Sequence, residues 1–106
     1  MLNPAAIQEA ARRIAAAASA PVRVILFGSY ARGDAREDSD LDLVVVEKQV
    51  VDHTREYLRL RDAVGCIGTS VDLLLLSESE YEKKKQWWTT PLYWADREGM
   101  VLYESA

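Results

Sequence analysis

Three aspartates and one Gly-Ser pair stand out in this 106-residue chain as groups whose types and spacing could do chemistry. Asp40 and Asp42 flank Leu41 at the mouth of an apolar, β-branched run from Leu41 to Val46. Side chains alternate along a strand, so both carboxylates project from one face, ~7 Å apart at ~3.3 Å per residue. Two carboxylates that close repel unless a proton or a cation sits between them. Asp72 interrupts a second apolar run, Val71–Leu76, near its start. If that strand pairs beside the first, Asp72 joins the same cluster. Three hard oxygen donors suit Mg²⁺, which keeps some water and takes further ligands from phosphates.

Gly28 and Ser29 follow directly on another apolar run, ending at Phe27. Glycine permits a sharp turn and a close approach to a ligand. Ser29 offers a hydroxyl, and a short helical turn there would aim backbone N–H groups at an anion. A triphosphate held on this turn, opposite aspartates carrying metal, makes a phosphoryl- or nucleotidyl-transfer site. Two cations ~4 Å apart there would activate an attacking oxygen and steady the leaving one.

The elements that must position these groups can be read from pattern. Asn3-Pro4 is a helix start, with a capping side chain and then proline in the first turn. Ile7, Ala10, Ala11, Ile14 and Ala18 recur at helical spacing until Pro21. Val22–Phe27 reads as the first strand, Leu41–Glu47 as the second and Val71–Leu76 as the third. Between the first two lies a polar connection with a short helical turn near Ser29–Arg32. Asp52–Val64 reads as a helix with Tyr57, Leu60 and Val64 on one side. Ser77 and Glu80 match a capping box, and the helix they open is expected to run through Trp88. Thr90-Pro91 restarts a short helix that Gly99 should end, and Met100–Tyr103 is a possible edge strand. The order predicts an α/β fold in one domain, residues 1–106, with a mixed three- to four-stranded sheet flanked by helices. The site requires the first three strands to be neighbours.

Composition narrows the classes. Hydrophobic residues make up 49% and charged residues 28%, which suits a globular core rather than a disordered chain. A net charge of −4 lacks the basic footprint of a nucleic-acid binder, so no direct nucleic-acid contact is expected. A single cysteine, Cys66, rules out an internal disulfide and a cysteine-built zinc site; it is expected to be semi-buried and inert. No run approaches the ~18 apolar residues of a membrane span. Arg12 and Arg13 sit inside the first helix rather than before it, unlike a secretory signal, so a cytoplasmic location is expected.

Other residues have plainer readings. Arg32 divides evenly between a phosphate or partner contact and a surface tie to Asp34 or Asp38. Arg23 is expected in a structural salt bridge, and His53 in a surface role. Lys83-Lys84-Lys85 reads as a solvated face. Trp87, Trp88 and Trp94 are too many to bury in so small a domain, so some are expected to cap the core and at least one to meet a partner.

The string Phe27-Gly28-Ser29-Tyr30-Ala31-Arg32-Gly33, then Ser39-Asp40-Leu41-Asp42-Leu43, resembles the signature of the DNA polymerase beta-type nucleotidyltransferases. It is most similar to their minimal nucleotidyltransferase (MNT) branch of small single domains. The resemblance covers Asn3 to Tyr103 and puts Asp72 where the family keeps its third carboxylate. It implies a nucleotidyltransferase fold and an MntA-like antitoxin, which transfers AMP from ATP to a tyrosine hydroxyl of a HEPN-domain (HepT-like) toxin in a hetero-oligomer. By the same resemblance Asp40 and Asp42 would bind two Mg²⁺ ions and Asp72 one of them. Gly28 and Ser29, with Arg32 alongside, would hold the nucleotide phosphates. Two rival readings remain: an antitoxin that neutralises by occlusion alone, and a small-molecule nucleotidyltransferase, which the lack of a second domain disfavours.

Overall fold

The structure, a computed structural model, describes residues 2–105. Helix α1 (Pro4–Ala17) is capped by Asn3, whose Oδ1 accepts the Ala6 N–H at 2.8 Å. Its apolar face, Ile7, Ala10, Ala11 and Ile14, is buried. The chain continues through β1 (Pro21–Phe27), the single-turn α2 (Ser29–Arg32), β2 (Leu41–Glu47), α3 (His53–Val64), β3 (Val71–Ser77), α4 (Glu78–Lys84), α5 (Pro91–Glu98) and β4 (Met100–Glu104).

The four strands form one mixed sheet in the order β3-β2-β1-β4. β2 runs parallel to β3 and antiparallel to β1, and β4 closes the other edge antiparallel to β1. β2 neighbours both β1 and β3, as expected, but it separates those two from each other, so the first three strands are not mutually adjacent. Period-two alternation sorts each strand between two cores. Val24, Leu26, Leu41, Leu43, Val45, Leu73 and Leu75 face α1 and α3. Ile25, Val44, Val46 and Leu76 face Tyr81 of α4 and Leu92 and Ala95 of α5. Asp42 and Asp72 share the parity of Val44, Val46 and Leu76, so they belong to the α4–α5 side.

Several local readings are corrected. The helix expected through Trp88 stops at Lys84, although the capping box of Ser77 and Glu80 forms. The Thr90 hydroxyl donates to the carbonyls of Lys84 and Trp87, folding the chain back, and Pro91 cannot continue a helix. Gly99 does end α5, but in ordinary extended backbone rather than a left-handed cap. Its need is for space: a Cβ there would lie 2.2 Å from the Ala95 carbonyl oxygen and 2.7 Å from Ile25. Cys66 is exposed rather than semi-buried. All three tryptophans are exposed, so none caps the core. His53 does more than decorate the surface, since its Nε2 lies 3.0 Å from the Leu75 carbonyl oxygen. Arg23 pairs with Glu104 at 3.3 Å, as expected. Of the three lysines, Lys83 is solvated, while Lys85 pairs with Glu82 at 2.9 Å and lies over the Tyr81 ring. Among the described residues no helix is long and apolar enough to cross a membrane.

Candidate active site

The parallel β2–β3 register places Asp42 directly beside Asp72, while the antiparallel β1–β2 register places Asp42 opposite Phe27. The turn after Phe27 thus arrives over Asp42. Gly28 makes that approach possible. Its φ of 74° and ψ of −153° lie in a region open only to glycine. A Cβ on Gly28 would fall 2.2 Å from Asp42 Oδ2, so the missing side chain is the space that the carboxylate fills. Gly28 then caps α2, accepting the Ala31 and Arg32 N–H groups at 3.1 Å. The Ser29 and Tyr30 N–H groups open the helix and so have no place in its own ladder.

Charge at this end of the sheet is under strain. The Asp42 carboxyl is pushed up from its ordinary value of 3.8 to about 6. Burial is the largest cause, followed by the Asp72 charge, a hydrogen bond shared with Asp72, and the charge of Asp40; Arg32 opposes them. Asp40 precedes β2 on exposed chain, and Asp72 is exposed at the start of β3. The structure therefore brings Asp42 and Asp72 together, and the Asp40 charge is also felt at Asp42. Among the described residues no three acidic, histidine or cysteine side chains are gathered tightly enough to hold a metal as they stand. The donor chemistry suits a hard divalent cation: carboxylate oxygens only, one of them held against its own solvation. Arg32 lies beside the turn, its Nε 3.4 Å from Asp34 Oδ2, the surface tie that was one of its two expected roles.

The nucleotidyltransferase domain family model matches residues 7–93, most of the chain and the whole of this site. The chain belongs to the nucleotidyltransferase domain family. Two curated relatives from Methanocaldococcus jannaschii are named as candidate protein adenylyltransferases. One is 35% identical over 68 residues, 61% of this chain and 63% of the relative. The other is 61% identical over 28 residues, 26% of this chain and 28% of the relative. The chain thus spans less than two thirds of the curated relatives it matches. Solved structures share the nucleotidyltransferase fold at low identity. A candidate nucleotidyltransferase from Sulfolobus solfataricus superposes with a TM-score of 0.63 at 20% identity, over 94% of this chain and 78% of that one. A toxin–antitoxin structure with AMP-PNP gives 0.68 at 16% identity, over 93% of this chain and 73% of that one.

Two features escaped the sequence reading. A cavity of about 300 Å³ adjoins the Gly28 turn, lined by Phe27, Gly28, Arg32, Pro91, Trp94 and Glu98. Only the packing of α5 against β1 creates it. At the far end of β2, five residues and ~16 Å from Asp42, Glu47 is fully buried beside Glu56. Its one signal was a carboxylate closing an otherwise apolar strand. Glu47 Oε1 accepts the Ala20 N–H at 2.9 Å, and Glu56 accepts the Ser19 N–H and hydroxyl and pairs with Arg59. Burial and the neighbouring Glu56 raise the Glu47 carboxyl to about 7, while hydrogen bonds from Glu47 and Ser19 and the Arg59 charge lower that of Glu56.

Proposed function

We propose that this nucleotidyltransferase domain transfers AMP from ATP, with Mg²⁺, to a tyrosine hydroxyl of a HEPN-domain toxin, and acts as that toxin's antitoxin. The observation that carries the chemistry is the β2–β3 register, which sets Asp42 against Asp72 beneath a glycine turn that has no side chain. The names of the M. jannaschii relatives support a protein substrate. The toxin–antitoxin neighbour with AMP-PNP supports the partner class and the nucleotide.

In this reading Asp40 and Asp42 hold two Mg²⁺ ions and Asp72 one of them. The bound metal supplies Lewis-acid neutralisation of phosphate charge. Gly28 and Ser29 hold the β- and γ-phosphates through the free N–H groups and hydroxyl at the start of α2, and Arg32 adds a cation beside them. The tyrosine oxygen bonds to the α-phosphorus as the bond from that phosphorus to the α–β bridging oxygen breaks. Pyrophosphate leaves with the bridging oxygen. Asp72, exposed beside Asp42, accepts the hydroxyl proton.

The test uses ATP labelled on the α-phosphate, Mg²⁺ and a HEPN-domain toxin as acceptor. Label should reach a toxin tyrosine, γ-labelled ATP should give none, and Asp42→Asn should abolish transfer without unfolding the chain. No transfer of α-label would overturn the reading. Neutralisation by occlusion is favoured by one observation, the 59% and 69% exposure of Trp87 and Trp88, which leaves a broad aromatic surface open to a partner. An Asp40→Asn/Asp42→Asn protein that still protected cells from the toxin would establish it.

A further inference from the structure

We propose that the cleft between α5 and the Phe27–Arg32 turn, walled by Trp94, receives the base and ribose of the nucleotide substrate. This rests on the nucleotidyl-transfer reading and deepens it by naming the specificity-determining wall.

Three observations carry it. The first is position. The cavity includes Gly28, whose backbone abuts the Asp42 carboxylate, so it is continuous with the place where the phosphates would sit. It opens on the same face of the sheet as Asp42 and Asp72, because Phe27 continues the alternation of Ile25 toward α5. The second is the state of Trp94. α5 buries Leu92 and Ala95 almost completely, yet Trp94 between them stays 49% exposed. The core therefore does not explain this indole. It stands edge-on to Tyr93, with ring centroids 4.9 Å apart, and that contact steadies it without burying it. The third is the lining. Trp94, Pro91 and Phe27 give flat apolar walls, which suit the π-face of a base. Glu98 offers carboxylate oxygens to an exocyclic amine or to ribose hydroxyls, and Arg32 lies at the phosphate side. A volume of about 300 Å³ is at the lower end of ligand cavities and suits one nucleoside.

Gly99 keeps this wall in place. Its missing Cβ lets the end of α5 pack against Ile25 and the Leu26 carbonyl, and so holds Trp94 beside the turn.

The experiment compares binding of Mg²⁺–ATP and of inorganic tripolyphosphate by isothermal titration, in the wild-type chain, Trp94→Ala and Trp94→Phe. Trp94→Ala should raise the Kd for ATP about tenfold, within the range of base–aromatic stacking, and leave that for tripolyphosphate unchanged. Trp94→Phe should recover most of the loss. In a Trp87→Phe/Trp88→Phe background, where Trp94 is the one indole, ATP should quench its fluorescence and tripolyphosphate should not. Equal ATP affinity in Trp94→Ala and wild type would overturn the inference while the nucleotidyl-transfer reading stood. Weakened toxin binding with unchanged ATP affinity would also overturn it, giving the cleft to the partner. A wild-type chain that bound neither ligand would refute the nucleotidyl-transfer reading itself, and the inference with it.

Discussion

Replacing Gly28 by alanine should cost stability in two separable parts, and only one of them should depend on Asp42. The backbone part comes from φ 74° and ψ −153°, where a residue with a Cβ is strained by ~1–3 kcal/mol. The contact part comes from the new methyl group at 2.2 Å from Asp42 Oδ2 and 3.1 Å from its Cγ. Relief requires the carboxylate to leave its rotamer, at a further ~0.5–1.5 kcal/mol. Asp42→Ala removes both atoms and leaves the Asp42 Cβ at 3.4 Å, an ordinary contact. Gly28→Ala should therefore cost ~3 kcal/mol in the wild-type chain and ~2 kcal/mol in Asp42→Ala, a coupling of ~1 kcal/mol. Urea unfolding of the four proteins would measure it, since with m near ~2 kcal/mol/M the coupling corresponds to ~0.5 M in midpoint. If Gly28→Ala costs the same in both backgrounds within ~0.4 kcal/mol, the turn does not rest on the carboxylate and the account of the site is wrong.

Three further outcomes follow from the same structure. Asp42 titrates near 6 in the fold instead of 3.8, so the folded state binds the proton more tightly and stability falls as pH rises between those values. Asp42→Asn should match wild type at pH 3.5 and exceed it at pH 7.5 by ~1 kcal/mol after allowance for partial exposure, ~5 °C in Tm; Mg²⁺ at pH 7.5 should raise Tm in wild type only, and a pH-independent gap would contradict this. Glu47 is likewise raised, from 4.5 to about 7, so wild type should lose more stability across that window than Glu47→Gln, which keeps only the Asp42 contribution; thermal melts of the two from pH 4 to pH 8 that run parallel would count against the raised Glu47 carboxyl. Tyr81 is buried and its hydroxyl donates to Asp96 Oδ1 at 2.9 Å, so Tyr81→Phe should cost ~1 kcal/mol in urea unfolding, and no change would show that the bond is redundant.

What could be read from the chain was local. Asp40-Leu41-Asp42, Gly28-Ser29, the Asn3 cap and the Ser77–Glu80 box are patterns of a few residues, and the two caps formed where expected. Strand identity was equally legible, because β-branched and apolar runs have one period. What could not be read was set by distant contacts. Lys84 to Trp88 contains good helix formers, yet the helix ends because Thr90 turns back to its carbonyls. The pairing of Glu47 with Glu56, and the seating of Trp94 beside Gly28, join segments whose separation in sequence says nothing of their distance in space. Asp72 lies between these cases. Its residue type was visible, but its partner was fixed only by a parallel register that a one-residue slip would have turned to the opposite face.

The two ends of β2 make the argument for function sharper than either alone. Each end carries a carboxyl pair formed with a neighbouring element, and in each pair burial raises one member. At the Glu47 end the fold answers the charge: Ala20 and Ser19 donate backbone N–H groups, the Ser19 hydroxyl adds another donor, and Arg59 pairs with Glu56. At the Asp42 end the chain passes within reach at Gly28 without offering a side chain, and the Arg32 charge is what opposes the raised carboxyl. The fold thus brings donors to the Glu47–Glu56 pair, although Glu47 Oε2 stays buried without a hydrogen-bond partner. Leaving the Asp42–Asp72 pair with little more than the Arg32 charge lowers stability without improving the packing of β2 against β3, which apolar residues at 42 and 72 would serve better. The divalent cation proposed for this site would offset that cost by bringing positive charge from outside the chain.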